Sequence, residues 1–445
     1  MTAPAIASIT SALDRLAGNG AIGLACSGGG DSLALLLLAS DWARARGRDL
    51  IVFTVDHGLR SDAAAEARHV MDVCARLGFD CETLRWETPR AGAGVQARAR
   101  RARHKLLADA CRMRGVTRLM LAHTRDDQAE TVGLRLAAGG SWRSAAAMGE
   151  TAQSPAWPEG RELTLIRPCL GVERSALRQV LRSAGETWVE DPTNQDERYA
   201  RIRLRNALKR LSRSGFDPGR LAELAGDLHA TLDVERRVAF DAAQRAVRIE
   251  PWGGAAIDRA LWQEIRPAVR QTLLEALVMA VSGQSASPAR SQLDPIRAAI
   301  CAGAPGSGCG TRILKSANGV TWMIRDGGAV RGRVDTRQPD PWSASTDGMR
   351  VFDGRFELAN PVDDHDWGLL GETYQDVEDR AILKPVPGAA RAGLLVARRA
   401  GQVVAIAGLD SGAGCPRVRS LLAHRFCRRL LSETGTRCFD GPGSG

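Results

Sequence analysis

The stretch Ala21-Ile22-Gly23-Leu24-Ala25-Cys26-Ser27-Gly28-Gly29-Gly30-Asp31-Ser32-Leu33-Ala34-Leu35-Leu36-Leu37-Leu38 decides the fold. A short apolar run over residues 21–26 meets a glycine-rich turn, and a leucine-rich run follows at once. An apolar run of this length bounded by a turn suits a buried strand, and the run beyond it suits a helix. Consecutive glycines let backbone N–H groups approach a phosphate closely, at the positive end of the helix that follows. Ser27 and Ser32 add hydroxyl donors, and Asp31 immediately precedes Ser32. The turn is not a Walker-type P-loop, because no lysine follows it, and its spacing fails the dinucleotide fingerprint. Asp31 beside a polyphosphate is a like-charge contact that a magnesium ion between them relieves. The plainer alternative is an ordinary glycine turn with Asp31 at a helix start.

Outward from this stretch, strands and helices alternate. Residues 50–55 read as a second buried strand ending at Asp56-His57-Gly58, and residues 61–77 as a helix stopped by Gly78. Residues 81–86 read as a weaker third strand, 96–114 as a basic helix, 119–122 as a fourth strand and 126–136 as a helix. Such alternation predicts an α/β domain with a parallel, doubly wound sheet covered on both faces. Beyond Gly139 it fades: residues 173–184 and 198–213 read as helices, 214–219 as a linker and 221–282 as largely helical. After residue 311 short strands return at 311–315, 320–325, 349–358 and 402–407. The expected division is a catalytic α/β domain at 1–214, a helical domain at 215–335 and a small mixed α/β domain at 336–445.

Two more motifs fall where strands end, at Val55-Asp56-His57-Gly58-Leu59-Arg60 and at Ala122-His123-Thr124-Arg125-Asp126-Asp127-Gln128-Ala129-Glu130-Thr131. Ligands of doubly wound sheets bind outside the carboxyl ends of the strands, so all three motifs converge on one crevice. Asp127 and Glu130 are three apart and share a helix face, which suits a cationic ligand or a metal. The alternative for either aspartate is a helix cap.

The turn Ser27-Gly28-Gly29-Gly30-Asp31-Ser32 resembles the PP-loop of ATP pyrophosphatases, and the three motifs together resemble the tRNA(Ile)-lysidine synthase family. The resemblance is strong over roughly residues 20 to 210 and extends to Arg100 and Arg103, where the family keeps paired arginines, and to Arg167-Pro168. It also takes in Glu190-Asp191-Pro192-Thr193-Asn194 and the basic run from Tyr199 to Asn206. His104 stands where the family usually has tyrosine, and Ala137-Ala138 replaces an expected basic, glycine-bearing stretch before Trp142. The resemblance implies adenylation of a wobble cytidine in a CAU anticodon, with ATP and Mg2+ as cofactors. L-lysine then displaces AMP to give lysidine. It implies catalytic roles for Asp31, Arg103, Asp127 and Glu130, and ATP binding by Ser27 through Ser32. It further implies substrate binding by Asp56, His57, Arg100, His123, Asp127 and Glu130, with no metal ligand set assigned.

Composition narrows the alternatives. A net charge of +10 favours a polyanionic partner, here tRNA(Ile). Arg201, Arg203, Arg205 and Lys209 lie in an acid-free run and are its expected contacts. A solvated helix surface explains such a run equally simply. Ten cysteines include no Cys-x-x-Cys pair, which argues against a zinc ribbon and against a PP-loop tRNA thiolase, whose chemistry generally uses a cysteine pair. A nucleotide- or RNA-binding protein without catalysis is the other class, and the intact glycine turn argues against it. No apolar run reaches 18 residues, so no membrane span is expected. The start lacks a signal-peptide pattern, so a cytoplasmic location is expected. A homodimer is compatible with these features.

Overall fold

The computed structural model describes residues 2–56, 63–86, 95–189, 197–331, 342–344, 349–358, 365–371, 376–409 and 418–431. Two compact units divide between Leu232 and Asp233. The first begins with helix α1 (Thr2–Leu16), then alternates β1 (Ile22–Ala25), α2 (Gly30–Arg46), β2 (Leu50–Asp56), α3 (Ala63–Leu77), β3 (Asp80–Arg85), α4 (Val95–Met113), β4 (Arg118–Met120) and α5 (Arg125–Ala137). The short helix α6 (Trp142–Ala145), the strands β5 (Thr151–Gln153) and β6 (Thr164–Ile166), and helices α7 (Arg174–Ser183), α8 (Ala200–Arg213) and α9 (Gly219–Ala246) follow. The boundary between units falls within α9.

The strands of the first unit form one sheet in the order β3-β2-β1-β4-β6-β5, parallel except for β5 at one edge. Alternation along each strand sends side chains to two cores. Ile22, Leu24, Leu50, Val52, Met120 and Ile166 share one cluster with residues of α1, α2, α3 and α7. Ala25, Ile51, Phe53, Leu119 and Leu165 share the other with Leu107, Ala108 and Cys111 of α4. Apolar runs on β1 and β2 are therefore the signature of a sheet buried on both faces. The third strand reads weakly because it is an edge: only Leu84 of β3 is buried. Helix α2 is apolar almost all round, as befits a helix covered by α1 and α7 as well as by the sheet.

The α/β class and the parallel sheet agree with expectation. Three features were not foreseen. Residues 2–16 form a helix, β6 extends the parallel sheet, and β5 closes that edge antiparallel.

Residues 221–282 are largely helical, as expected, through Gly219–Ala246, Arg259–Glu264 and Pro267–Ser282. In the second unit, strands Val247–Ile249 and Ala255–Asp258 interrupt this stretch, joined by a turn in which Gly253 holds φ of 107°. They join Val320–Arg325, Thr311–Ile313 and Gly306–Gly308 in an antiparallel five-stranded sheet. Helices Pro267–Ser282, Arg290–Ala302 and Leu422–Leu430 share one apolar cluster that includes Leu273, Leu277, Ile296 and Phe426. Residues 349–358 form two strands, Arg350–Phe352 and Phe356–Leu358, turned at Asp353. They belong to a four-stranded antiparallel sheet, and Asp366–Leu369, Leu395–Arg399 and Gln402–Ile406 make a three-stranded one. Among the described residues no helix is long and apolar enough to cross a membrane.

Candidate functional site

The strand order reverses direction at β1, whose neighbours are β2 and β4. The glycine turn follows β1 and the His123 motif follows β4, so both leave the carboxyl edge at the topological switch point. Asp56 ends β2 one strand away, buried, with Arg85 Nε at 3.8 Å from its Oδ2. His57 lies outside the described residues, as do Glu190 to Asn194.

The turn is braced from within. Ser32 Oγ accepts the Ser27 N–H at 3.1 Å and donates to the Gly29 carbonyl at 3.0 Å. Its hydroxyl therefore holds the loop shape. Ser27 is exposed and keeps its Oγ 3.2 Å from Ser32 Oγ. Gly28 adopts φ of 77°, a left-handed conformation that disfavours side chains. Gly30 has no room for one, since a Cβ there would lie 3.2 Å from the Trp188 ring. Val189 donates its N–H to the Gly28 carbonyl, so residues 188–189 back the turn.

The carboxylates meet around one arginine that the sequence reading passed over. Arg174 Nε lies 3.0 Å from Asp31 Oδ2, its Nη2 2.9 Å from Asp127 Oδ1 and its Nη1 3.6 Å from Glu130 Oε1. Two arginines of α8 close the cluster. Arg201 reaches Glu130 Oε2 at 2.7 Å and Asp127 Oδ1 at 2.9 Å, and Arg205 reaches Glu130 Oε1 at 2.6 Å. Asp127 also serves as the helix cap considered for it: its Oδ2 accepts from the Thr124 N–H and hydroxyl, both at 2.9 Å. One oxygen thus fixes the start of α5 and the other faces the crevice. Burial alone would raise Asp127, but Arg174, the Thr124 N–H and Arg201 hold it below the usual carboxylate value. Asp31 goes the other way: burial raises it, only partly countered by Arg174, and its Oδ1 is buried without a partner. A signal for Arg174 existed in the sequence. It occupies the first turn of α7, where the helix dipole disfavours a cation, which marks the position as unusual but does not identify its partners.

A cationic group gathers around His104. Arg100, Arg103 and His104 share a face of α4, and Arg167 follows β6. Among the described residues neither Arg100 nor Arg103 has an acidic partner within ion-pair distance. Burial, and then Arg100, lower the Arg103 pKa. Arg167 is buried, bonds the Gly149 carbonyl at 2.8 Å, and is lowered by burial to about 10. His104 and His123 are each lowered to about 4, first by burial and then by the neighbouring arginines.

The four residues expected on tRNA divide by what they meet. Arg203 and Lys209 are exposed, with Arg203 bonded to the carbonyls of Glu197 and Arg198, both at 2.8 Å. Arg201 and Arg205, one turn apart, are held by the acids instead, and Lys209, a further turn along the same stripe, lies beyond their reach.

The PP-loop domain family matches residues 2–211. A tRNA(Ile)-lysidine synthase of Ruegeria pomeroyi is 40% identical over 270 residues, covering 60% of this chain and 62% of the relative. One of Hyphomonas neptunium is 44% identical over 187 residues, covering 42% of this chain and 50% of the relative. One of Bradyrhizobium sp. (strain BTAi1) is 38% identical over 268 residues, covering 58% of this chain and 73% of the relative. The chain belongs to the tRNA(Ile)-lysidine synthase family. Its matched part spans between half and about five-eighths of the length of the Ruegeria and Hyphomonas proteins.

Removing Arg174 leaves Asp31 uncompensated and weakens the hold on Asp127 and Glu130. Arg174→Met should lose about 3 kcal/mol in urea denaturation near neutral pH, the low end for breaking a buried pair because Arg201 and Arg205 remain. The deficit should shrink below about pH 4, where carboxylates protonate. An unchanged urea midpoint would show that Arg174 carries no such burden.

The lowered His104 pKa gives a second expectation. The unfolded imidazole binds a proton near pH 6.5, whereas the folded one stays neutral down to about pH 4. Between those values the unfolded state holds more protons, so stability falls as pH drops through this window. His104→Tyr removes that contribution. Its melting temperature should fall less than that of the unaltered protein between neutral pH and about pH 4.5, and equal falls would contradict the assignment.

Proposed function

We propose that this protein ligates L-lysine to C2 of the wobble cytidine in the CAU anticodon of tRNA(Ile), releasing AMP and pyrophosphate. The observation that carries the reading is the set Asp31, Asp127 and Glu130, gathered beside the glycine turn at the switch point of a PP-loop sheet. Family membership and the names of the relatives support the same activity.

The glycine turn and the start of α2 suit the phosphates of ATP, with backbone N–H groups and the helix dipole meeting the negative charge. The partnerless Oδ1 of Asp31 fits a magnesium ion, a hard cation with oxygen ligands. When bound, that ion supplies positive charge between the aspartate and the phosphates. Arg100, Arg103 and Arg167, without acidic partners among the described residues, suit the nucleotide anion. Lysine brings two ammonium groups, which Asp127 and Glu130 suit. Those acids bind guanidinium groups here, so they are already organised for a cation.

Adenylation of the C2 oxygen turns a poor leaving group into AMP, and the ε-amine attacks C2 as that bond breaks. The attacking amine has to shed a proton, its ordinary pKa being about 10.4. A nearby carboxylate is suited to taking it. Residues beyond 214 serve tRNA selection on this reading, and Arg203 and Lys209 face solvent where they meet the tRNA backbone. A cytoplasmic location follows from the substrate.

The decisive measurement is AMP release from ATP with a transcribed tRNA(Ile) carrying CAU, with and without lysine. The reading requires lysidine to form, and its absence would overturn the reading. Asp127→Asn and Glu130→Gln should each raise the lysine concentration needed for half-maximal rate by about tenfold or more, the loss of one charged hydrogen bond, while adenylated tRNA still accumulates. Loss of adenylation at unchanged lysine dependence would place these acids on the nucleotide instead.

A further inference from the structure

His123 and Arg167 stand at the ends of neighbouring parallel strands, β4 and β6, paired as Met120 with Ile166. Arg167 Nε lies 3.2 Å from His123 Nδ1. A guanidinium N–H can only donate, so Nδ1 can only accept, and the ring proton must sit on Nε2. Arg167 is itself fixed, buried, by Nη1 on the Gly149 carbonyl and by its own N–H on the Glu150 carbonyl. Among the described residues none accepts from Nε2. Asp127, Arg103, Arg167 and Arg201 all lie close enough to act on the ring electrostatically.

We propose that Arg167 is a positioning residue that locks His123 as a neutral hydrogen-bond donor, whose Nε2–H serves an oxygen of the reacting nucleotide. His123 is then no general base for the lysine amine, and that task falls to the carboxylates. A neutral imidazole is a useful donor toward an oxygen that gains negative charge, because no proton transfer is needed. The electrostatic surroundings agree: burial and then Arg167 keep the ring uncharged down to about pH 4, although Asp127 pulls the other way. This inference rests on the lysine-ligation reading for the identity of the acceptor, and on the ring geometry alone for the lock.

The experiment has two arms. In the full-length protein labelled with 15N-histidine, the His123 resonances, assigned by their loss in His123→Gln, should show the Nε2–H tautomer at neutral pH. Arg167→Met should release the lock and give a mixture of tautomers. An Nδ1–H ring, or a ring that protonates near pH 6.5, the ordinary histidine value, would overturn the proposal. The second arm measures AMP release with tRNA and lysine. Glutamine reproduces the pattern, with its carbonyl accepting from Arg167 and its amide donating outward. His123→Gln should stay within about tenfold of the unaltered rate, and His123→Phe should fall about a hundredfold, the loss of one oxyanion donor. A general base would lose about a hundredfold or more in both variants, and equal loss would overturn the donor role. If the unaltered protein forms no lysidine, the functional reading fails while the tautomer result still decides the lock.

Discussion

Burying Asp127 and Glu130, and half-burying Asp31, at the edge of one sheet is possible only if cations are buried with them. An unpaired buried ion costs several kcal/mol, so Asp31, Asp127 and Glu130 dictate where guanidinium groups must lie. Arg174 meets that demand because a planar guanidinium carries donors in a fork and can face several carboxylates at once. Its position depends in turn on how three helices begin. Asp126 Oδ2 accepts the Arg174 N–H at 2.9 Å, and the Arg125 N–H bonds the Val172 carbonyl at 2.9 Å, so α5 and α7 start side by side. Helix α7 packs on α2, whose first turn carries Asp31. The positive ends of α2 and α5 favour their acids, while the positive end of α7 disfavours Arg174. The acids offset that penalty, and the same contacts hold the helix starts in register.

This dependence explains which parts were legible in the sequence. The strand-turn-helix at residues 21–38 and the motif at 122–131 are local patterns whose meaning rests on period and on glycine. Both lie where they were expected, flanking the switch point. Arg174 was illegible as a partner because it is 143 residues from Asp31 in the chain, and only the packing of α7 on α2 brings them together. Helix α8 was read as a basic stretch, but a count of arginines does not separate Arg201 and Arg205, which face acids, from the exposed Arg203 and Lys209. The strands at Val247–Ile249 and Ala255–Asp258 escaped because each is short, and they join a sheet only because Ala255–Asp258 pairs with Val320–Arg325, far along the chain. Strand β6 is three residues long and was hidden in a stretch read as loop and connector.

Charge is divided across the crevice in a way that fits two ligands of opposite sign. Carboxylates alone beside the glycine turn would repel a polyphosphate, since Coulomb energy grows as water is excluded. Guanidinium groups on those carboxylates cancel much of their field. On the proposed reading, lysine replaces one cation with another at Asp127 and Glu130, and the local charge changes little. The nucleotide therefore meets a nearly constant field whether or not lysine is bound. Arg103, Arg167 and the neutral His123 supply the attractive part of it.

A neutral His123 follows from the same arrangement. A ring surrounded by Arg103, Arg167 and Arg201 would charge only at a cost in repulsion, and Asp127 is already shared among Thr124, Arg174 and Arg201. The acid that might have drawn a proton onto the imidazole is thus committed elsewhere. Proton transfer at this site is left to groups on the acidic side, where a substrate ammonium would sit. Separating the proton acceptor from the hydrogen-bond donor keeps both in their working ionisation states near neutral pH, because neither has to titrate for the other to act.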